Sequence, residues 1–139
     1  MCKKSLKIRL AALGDNHPSI AQTYHNMGSV HRYQGKYDKS LCLHRKSLKI
    51  QLSALGNNHP DIAQTHNNIG SVYFHQGKYD DAVRMYEKSL KIQLSALGDN
   101  HPSIASTYNN MGLVYSHQGK YDDAVRMYDK SLKIKSRQV

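Results

Sequence analysis

Several residue types and patterns are scarce or missing in this chain of 139 residues, and each absence excludes a class of protein. No window approaches the ~18 uninterrupted apolar residues of a membrane-spanning helix. The first residues include cations but no apolar stretch, so nothing marks them as a secretory signal. Two cysteines, Cys2 and Cys42, are too few for a disulfide framework, and nothing in the sequence pairs them. These absences predict a cytoplasmic protein with no membrane span.

The chain is also poor in catalytic and metal-binding signals. Glu87 is its only glutamate, and the aspartates cluster at predicted helix starts, where capping and dipole roles explain them. His17, His59 and His101 recur every 42 residues, each before a proline, so they are interpreted as architectural. No two histidines stand at i and i+4, no cysteine pair has zinc spacing, and the glycines form no phosphate loop. The sequence therefore predicts no enzyme, no catalytic residue, no metal site and no cofactor.

Internal repetition is what the chain has in abundance. The string Leu-Gly-(Asp/Asn)-Asn-His-Pro begins at residues 13, 55 and 97, and Gln-Gly-Lys-Tyr-Asp begins at residues 34, 76 and 118, both with a step of 42. Aligned over 42 positions, residues 52–93 and 94–135 differ at only nine. Repetition at this period predicts a stack of similar helical units. We expect a single domain, 1–139, with repeats at 18–55, 60–97 and 102–139, and with 1–13 as the trailing helix of a truncated repeat.

Each repeat is predicted to form two antiparallel helices. In the middle repeat Pro60 opens the first helix, where its missing N–H costs nothing, and apolar or small residues follow at a spacing of about 3.6 residues. Gly77 ends this helix, and the second starts near Tyr79 with acidic residues in its first turn. The buried stripe of the second helix is predicted to comprise Tyr79, Ala82, Val83, Tyr86, Leu90, Leu94 and Leu97. The predicted fold class is all-α, a right-handed α-solenoid of helix pairs.

Three glycines fall in the middle of the predicted first helices, at Gly28, Gly70 and Gly112. Glycine at such a position costs about 1 kcal/mol relative to alanine. The expected compensation is a close approach of the second helix, because glycine has no side chain to hold that helix away.

The spacing of small and aromatic residues resembles the tetratricopeptide signature. In the middle repeat this spacing comprises Ala63, Gly70, Tyr73, Gly77, Tyr79, Ala82, Tyr86 and Leu90. The usual early tryptophan is replaced by Tyr24, His66 and Tyr108, and the usual late proline by Leu52 and Leu94. The 42-residue unit, with His-Pro-(Ser/Asp)-Ile-Ala and Gln-Gly-Lys-Tyr-Asp, resembles the kinesin light chain type of repeat. This resemblance implies a scaffold that binds a peptide or protein segment, usually in a concave groove of first helices, and it does not imply a kinesin complex.

A second stripe on each first helix would face that groove in a tetratricopeptide stack. Among its eighteen positions Arg32 is the only fixed charge. Amides and hydroxyls suit an extended peptide main chain, and Tyr33, Phe74 and Leu113 add apolar footholds. The predicted groove residues are Gln22, His25, Asn26, Ser29, Tyr33, Gln64, Asn67, Asn68, Ser71, Phe74, His75, Ser106, Asn109, Asn110, Leu113 and His117.

Alternatives stay open for these residues. Asn26, Asn68 and Asn110 could instead tie one repeat to the next. Phe74 and Leu113 could pack against a neighbouring repeat. A second function also stays open, in which the chain is a structural array that self-associates through open ends into a homo-oligomer, or spaces other domains, without a dedicated ligand.

Positive charge is in excess, with 20 lysines and arginines against 10 acidic residues and a formal net charge of +10. Many of these cations fall on the predicted second helices, including Lys46, Lys49, Arg84, Lys88, Lys91, Arg126, Lys130 and Lys133. They are interpreted as solvated outer faces, the alternative being a basic convex strip for acidic partners. No helix-turn-helix, zinc-finger or RNA-recognition motif is visible, so nucleic acid is not an expected partner.

Overall fold

The structure is a computed structural model that describes residues 18–137, and within that range the chain forms six α-helices and no strand. The helices are α1 (Pro18–Tyr33), α2 (Tyr37–Leu55), α3 (Pro60–His75), α4 (Tyr79–Leu97), α5 (Pro102–His117) and α6 (Tyr121–Ser136). They pack as the pairs α1–α2, α3–α4 and α5–α6, and successive pairs meet through α2–α3 and α4–α5. The predicted all-α stack of helix pairs is confirmed. The helix predicted at 1–13 lies outside the described residues.

Helix ends follow the local sequence closely. At the start of α3, His59 is extended (φ −86°, ψ 139°), and its Nδ1 accepts a hydrogen bond from the Asp61 N–H at 3.0 Å. The same cap recurs at His101, before α5. The architectural interpretation is thereby confirmed for these two histidines, whereas His17 lies outside the described residues. Gly77, between α3 and α4, has φ +80°, a backbone conformation that favours glycine.

The mid-helix glycines bring each first helix against a ring from its second helix. A Cβ built on Gly70 would lie 2.8 Å from Cε1 of Tyr86, and one on Gly28 would lie 2.9 Å from Nε2 of His44. Gly112 makes the same approach in the third pair. Because no side chain fits between such closely packed atoms, the predicted close approach is confirmed.

The core is a series of small apolar clusters rather than one continuous centre. In one of them Tyr86 of α4 packs with Met111 and Val114 of α5. In another, formed by α1 and α2, Cys42 is half-buried against residues that include Leu43. Cys42 is not a free thiol in the structure, which the sequence does not indicate. Packing of each pair on its neighbours alone is typical of solenoids.

In the last turns of α4 the residue that is buried differs from the prediction. Leu94, predicted to be buried, is 39% exposed, whereas the neighbouring Gln93 is only 2% exposed. Thr107 Oγ1 of α5 donates to Gln93 Oε1 at 2.8 Å, and Gln93 Nε2 donates to the Ser103 carbonyl at 3.3 Å. The last turns of α4 therefore face α5 with a hydrogen-bonded amide, and this bonding explains why the more hydrophobic residue is left outside.

None of the described helices has the length and apolar content needed to cross a bilayer.

Candidate functional site

The predicted groove residues lie on α1, α3 and α5, and α3 touches α5 directly. Gln22, Asn26, Tyr33, Gln64, His75, Ser106, Leu113 and His117 are exposed, and His25, Ser29, Asn68, Ser71, Phe74, Asn109 and Asn110 are half-buried. These fifteen residues are called the first-helix face below. Its polar members are amides, hydroxyls and histidines, and Arg32, the charged position of the same stripe, holds its guanidinium carbon 4.6 Å from the centre of the Tyr33 ring.

Asn67 is the predicted groove residue that the structure removes from this face. Its side chain is buried, and its Nδ2 donates to Thr107 Oγ1 of α5 at 3.1 Å. The Thr107 hydroxyl in turn donates to Gln93 of α4. This buried chain of three side chains joins three helices from two repeats. Asn67 is therefore a tie between repeats, and its prediction as a groove-lining residue is corrected.

The asparagine one position later has a mixed environment. Asn68 Nδ2 lies 3.0 Å from Nδ1 of His25 in the preceding repeat, so it contacts a neighbouring repeat, as one alternative predicts. Asn68 Oδ1 accepts from Gln64 Nε2 at 3.3 Å along its own helix. In the third repeat serine replaces this glutamine, so Asn110 lacks the corresponding partner. Of the two, Asn110 therefore keeps more hydrogen-bonding capacity for a ligand.

An aromatic cluster lies where the second and third repeats meet. The Phe74 ring is 4.9 Å from that of His117 in an edge-to-face arrangement, and it is 5.7 Å from that of Tyr79. Phe74 thus packs against a neighbouring repeat, while Leu113 stays 41% exposed. Leu113 is consequently the more accessible apolar foothold of the two.

Fixed charge in the described part of the chain is concentrated on the second helices. Arg84 pairs with Asp81 one turn earlier, and Arg126 makes the corresponding pair in the third repeat. Lys133 Nζ lies 3.3 Å from Asp129 Oδ2. Exposed pairs of this kind contribute little to stability, but they neutralise part of the positive charge. Among residues 18–137 no group of three histidine, cysteine or acidic side chains is placed to hold a metal ion.

In the first repeat a buried histidine, His44, lies beneath the face residue His25. His44 is 1% exposed and meets the ring of His25 edge-on, with 5.2 Å between centroids. Burial, with smaller contributions from His25 and Arg32, lowers the pKa of His44 to about 4. Burial also lowers the pKa of His25. His44 is therefore neutral at pH 7, and protonating it opposes folding.

We expect the protein to lose stability as the pH falls from 6.5 towards 4. In that window His44 binds a proton in the unfolded chain but not in the folded one, and the loss reaches about 3 kcal/mol by pH 4. His44→Tyr installs the residue found at this position in the other two repeats, and it should remove the contribution of His44 to the pH dependence. Urea denaturation at pH 7, 5.5 and 4.5 measures both proteins. If the free energy of unfolding falls by the same amount with pH in both proteins, the assignment to His44 is contradicted.

Known proteins share this architecture. A family model described as tetratricopeptide repeat matches residues 1–53 and 54–137. BtubC (BKLC) from P. vanneervenii aligns with TM-score 0.88 and 22% identity, covering 96% of this chain and 53% of its own. A kinesin light chain protein of Podosopora anserina with nearly identical TPR-like repeats aligns with TM-score 0.77 and 22% identity, covering 88% and 58%. The N-terminal domain of STI-1 from C. elegans aligns with TM-score 0.68 and 20% identity, covering 84% and 85%.

Because the sequence identities are low, these structural similarities show a shared fold only. The chain spans between half and two thirds of the length of the BtubC and Podosopora structures. No curated protein sequence matches it.

Proposed function

Because the chain belongs to the tetratricopeptide repeat family, we propose that it is a non-catalytic interaction scaffold that binds an extended peptide or protein segment on the first-helix face. The observation that supports this most is the row of uncharged amide and hydroxyl side chains that α1, α3 and α5 leave accessible. Their donors and acceptors match those of a peptide main chain.

Accessible apolar side chains on the same face provide contacts for apolar side chains of the ligand. Leu113 is 41% exposed and lies one turn beyond Asn110 on α5, so an apolar ligand side chain that packs on Leu113 brings its main chain within reach of the amide. Tyr33 is 80% exposed at the end of α1 and offers a further contact. Because neither hydrogen bonds nor apolar burial on this face depend on net charge, binding should depend only weakly on salt.

The proposal includes no membrane, nucleic-acid or cofactor partner. The cations of the second helices are partly paired with aspartates, as at Arg84 and Arg126, which supports their interpretation as a solvated outer surface. Location in the cytoplasm stays a prediction from the sequence.

The test is the affinity of a peptide isolated from a random-peptide display library, measured by calorimetry. Asn110→Ala combined with Leu113→Ala should raise Kd at least tenfold, about 1.4 kcal/mol, because it removes an amide contact and an apolar one. The matched control combines Lys88→Glu with Lys91→Glu, both exposed on α4, and should change Kd less than twofold. Circular dichroism checks that both variants stay folded.

The reverse pattern would overturn the proposal. If the α4 pair abolishes binding while the α5 pair leaves Kd unchanged, the ligand binds the outer basic surface. In that case Kd should also rise steeply between 50 and 200 mM salt, as charge-dependent contacts require.

A further inference from the structure

A cleft made of two adjoining cavities lies where α1, the end of α2 and the start of α3 meet. The cavities have volumes of about 150 and about 120 Å³, and the residues that line both are Ala21, Gln22, Gln51 and Asp61. The larger cavity is otherwise apolar, with Ile50, Ala54 and Leu55. The smaller is otherwise polar, with His25, Ser47, Gln64 and Thr65. The cleft therefore has an apolar end and a polar end.

A residue difference between equivalent junctions accounts for the open space. In the second repeat Asn67 crosses to α5 and donates to Thr107. The equivalent residues of the preceding junction are His25 and Thr65. Nδ1 of His25 lies 3.0 Å from Nδ2 of Asn68 instead, and His25 makes no hydrogen bond to Thr65 that would match the one between Asn67 and Thr107. The space that a crossing amide fills at one junction thus stays open at the other.

Asp61 gives the cleft a negative charge. Its side chain lines both cavities and is 66% exposed, so a ligand in either cavity can reach it. Nδ1 of His59 lies 3.8 Å from Asp61 Oδ2, but this nitrogen accepts the Asp61 N–H and therefore carries no proton. Burial lowers the pKa of His25, which is uncharged at pH 7. None of the described residues that line the cleft is a lysine or an arginine, and serine replaces Asp61 at Ser103 of the next repeat.

The polar end adds uncharged acceptors. Gln22 Nε2 donates to Asn26 and Gln64 Nε2 donates to Asn68, each along its own helix, which leaves Oε1 of both glutamines as acceptors. The hydroxyl of Ser47 is fully buried and has no hydrogen-bond partner. Ammonium and guanidinium groups carry only donors and suit such a site. An anion would be repelled by the carboxylate, and an apolar group would leave these polar atoms unpaired.

We propose that the cleft holds a lysine or arginine side chain of the segment that binds the first-helix face. The methylene groups lie against the apolar wall, and the cationic group lies beside Asp61 and the glutamine oxygens. Long cationic side chains bind in this way, because their stems bury apolar area while the charge keeps polar partners. The inference rests on the proposed function, since Gln22, His25 and Gln64 belong to that face.

The place of the cleft predicts how far this cation lies from the apolar contact at Leu113. Gln64 of α3 corresponds to Ser106 of α5, seven residues before Leu113. Seven residues of helix and one and a half spacings between helices amount to roughly 17 Å. An extended peptide covers this distance with about five residues. The bound segment should therefore carry its lysine or arginine about five residues from the apolar residue that packs on Leu113.

Titration with n-butylammonium chloride at constant ionic strength tests the cleft without a peptide, because this cation has the four carbons and the ammonium group of a lysine side chain. In nitrogen–proton spectra the side-chain amides of Gln22, Gln51 and Gln64 should shift saturably, with a Kd of about 10 mM for a ligand of this size. Asp61→Asn should raise this Kd at least fivefold. The backbone bond from the Asp61 N–H to His59 is kept, so the start of α3 should stay folded.

Asp122→Asn is the matched control. It removes the same charge from the first turn of α6, where the side chain is exposed and lines neither cavity. The Kd for n-butylammonium should change less than 1.5-fold. An equal loss of affinity in both variants would show an effect of net charge alone and would overturn the assignment to the cleft.

The peptide selected from the display library gives a second measurement. Replacing its lysine by norleucine, or its arginine by citrulline, should raise Kd at least tenfold in the unmodified protein, because the charge opposite Asp61 is lost. With Asp61→Asn the same replacement should change Kd less than threefold, since the partner is already absent. Selected peptides without a lysine or arginine would contradict the proposal.

Failure of the cleft and failure of the proposed function give different results. The cleft assignment alone is wrong if n-butylammonium shifts none of the three glutamine amides, or if it binds the Asp61→Asn protein as well as the unmodified one. It is also wrong if the peptide loses affinity with Asn110→Ala and Leu113→Ala but not with Asp61→Asn. Loss of peptide binding through Lys88 and Lys91 instead would overturn the proposed function, and the role of the cleft in binding that segment falls with it.

Discussion

Gly70→Ala should destabilise the protein by about 2 kcal/mol, although alanine is normally the better residue in the middle of a helix. The added methyl group would lie 2.8 Å from Cε1 of Tyr86, a ring that is 3% exposed and enclosed by α3, α4 and α5. Because that ring cannot move without opening the α4–α5 junction, the overlap outweighs the gain in helix propensity. Urea denaturation measures the change in the free energy of unfolding.

The third repeat supplies a matched control. A methyl group on Gly112 would lie 2.9 Å from Cε1 of Tyr128, nearly the same distance, but Tyr128 is 36% exposed on the open side of α6 and can rotate outwards. Gly112→Ala should therefore cost less than half as much as Gly70→Ala. Equal costs at the two positions would contradict this explanation, because they would show that the packing around the ring does not matter.

Thr107→Val should destabilise the protein by about 2 to 3 kcal/mol. The change keeps the shape of the side chain but removes the hydroxyl that accepts from Asn67 and donates to Gln93. Both amides are buried, so each is left with an unsatisfied polar atom between the second and third repeats. Hydrogen exchange should show α5 and α6 opening at lower free energy than α3 and α4.

Thr23→Val makes the identical change at the equivalent position of the first repeat. The Thr23 hydroxyl is half-buried, and it donates to the Ser19 carbonyl of its own helix. This variant should cost less than about 1 kcal/mol, the contribution of an ordinary hydrogen bond. If Thr23→Val lowers the free energy of unfolding as much as Thr107→Val does, the hydrogen bonds between repeats add nothing to the stability that a local hydrogen bond provides.

The helices and their ends could be predicted from the sequence because each rests on local chemistry. Proline at the first turn of α3 and a left-handed Gly77 after it follow from rules that involve only neighbouring residues. The close approach at Gly70 was also predictable, since a mid-helix glycine has a cost that only packing offsets.

The sequence pattern could not predict which of two adjacent polar residues is buried and which faces outwards. Asn67 and Asn68 differ by about 100° around α3, and which of them is buried depends on where Thr107 of another repeat lies. For the same reason the burial of Gln93 in place of Leu94 could not be predicted. Amide side chains carry no hydrophobic signal, so a pattern of apolar residues does not report their partners.

Near-identical repeats also give different sites when a single residue changes. The position over the mid-helix glycine is a tyrosine in two repeats and His44 in the first, and the buried histidine adds a dependence of folding on pH between 6.5 and 4. The environment that burial creates is common to the repeats, whereas its chemical consequence depends on the residue that occupies it.

The most direct test of the proposed function is a map of the bound peptide on the protein, recorded as nitrogen–proton chemical-shift changes on titration with the library-selected peptide. Binding on the first-helix face predicts that the side-chain amides of Gln22, Gln64 and Asn110 shift together with main-chain amides of α1, α3 and α5. Shifts confined to α4 and α6 around Lys88 and Arg126, with those side-chain amides unchanged, would contradict it.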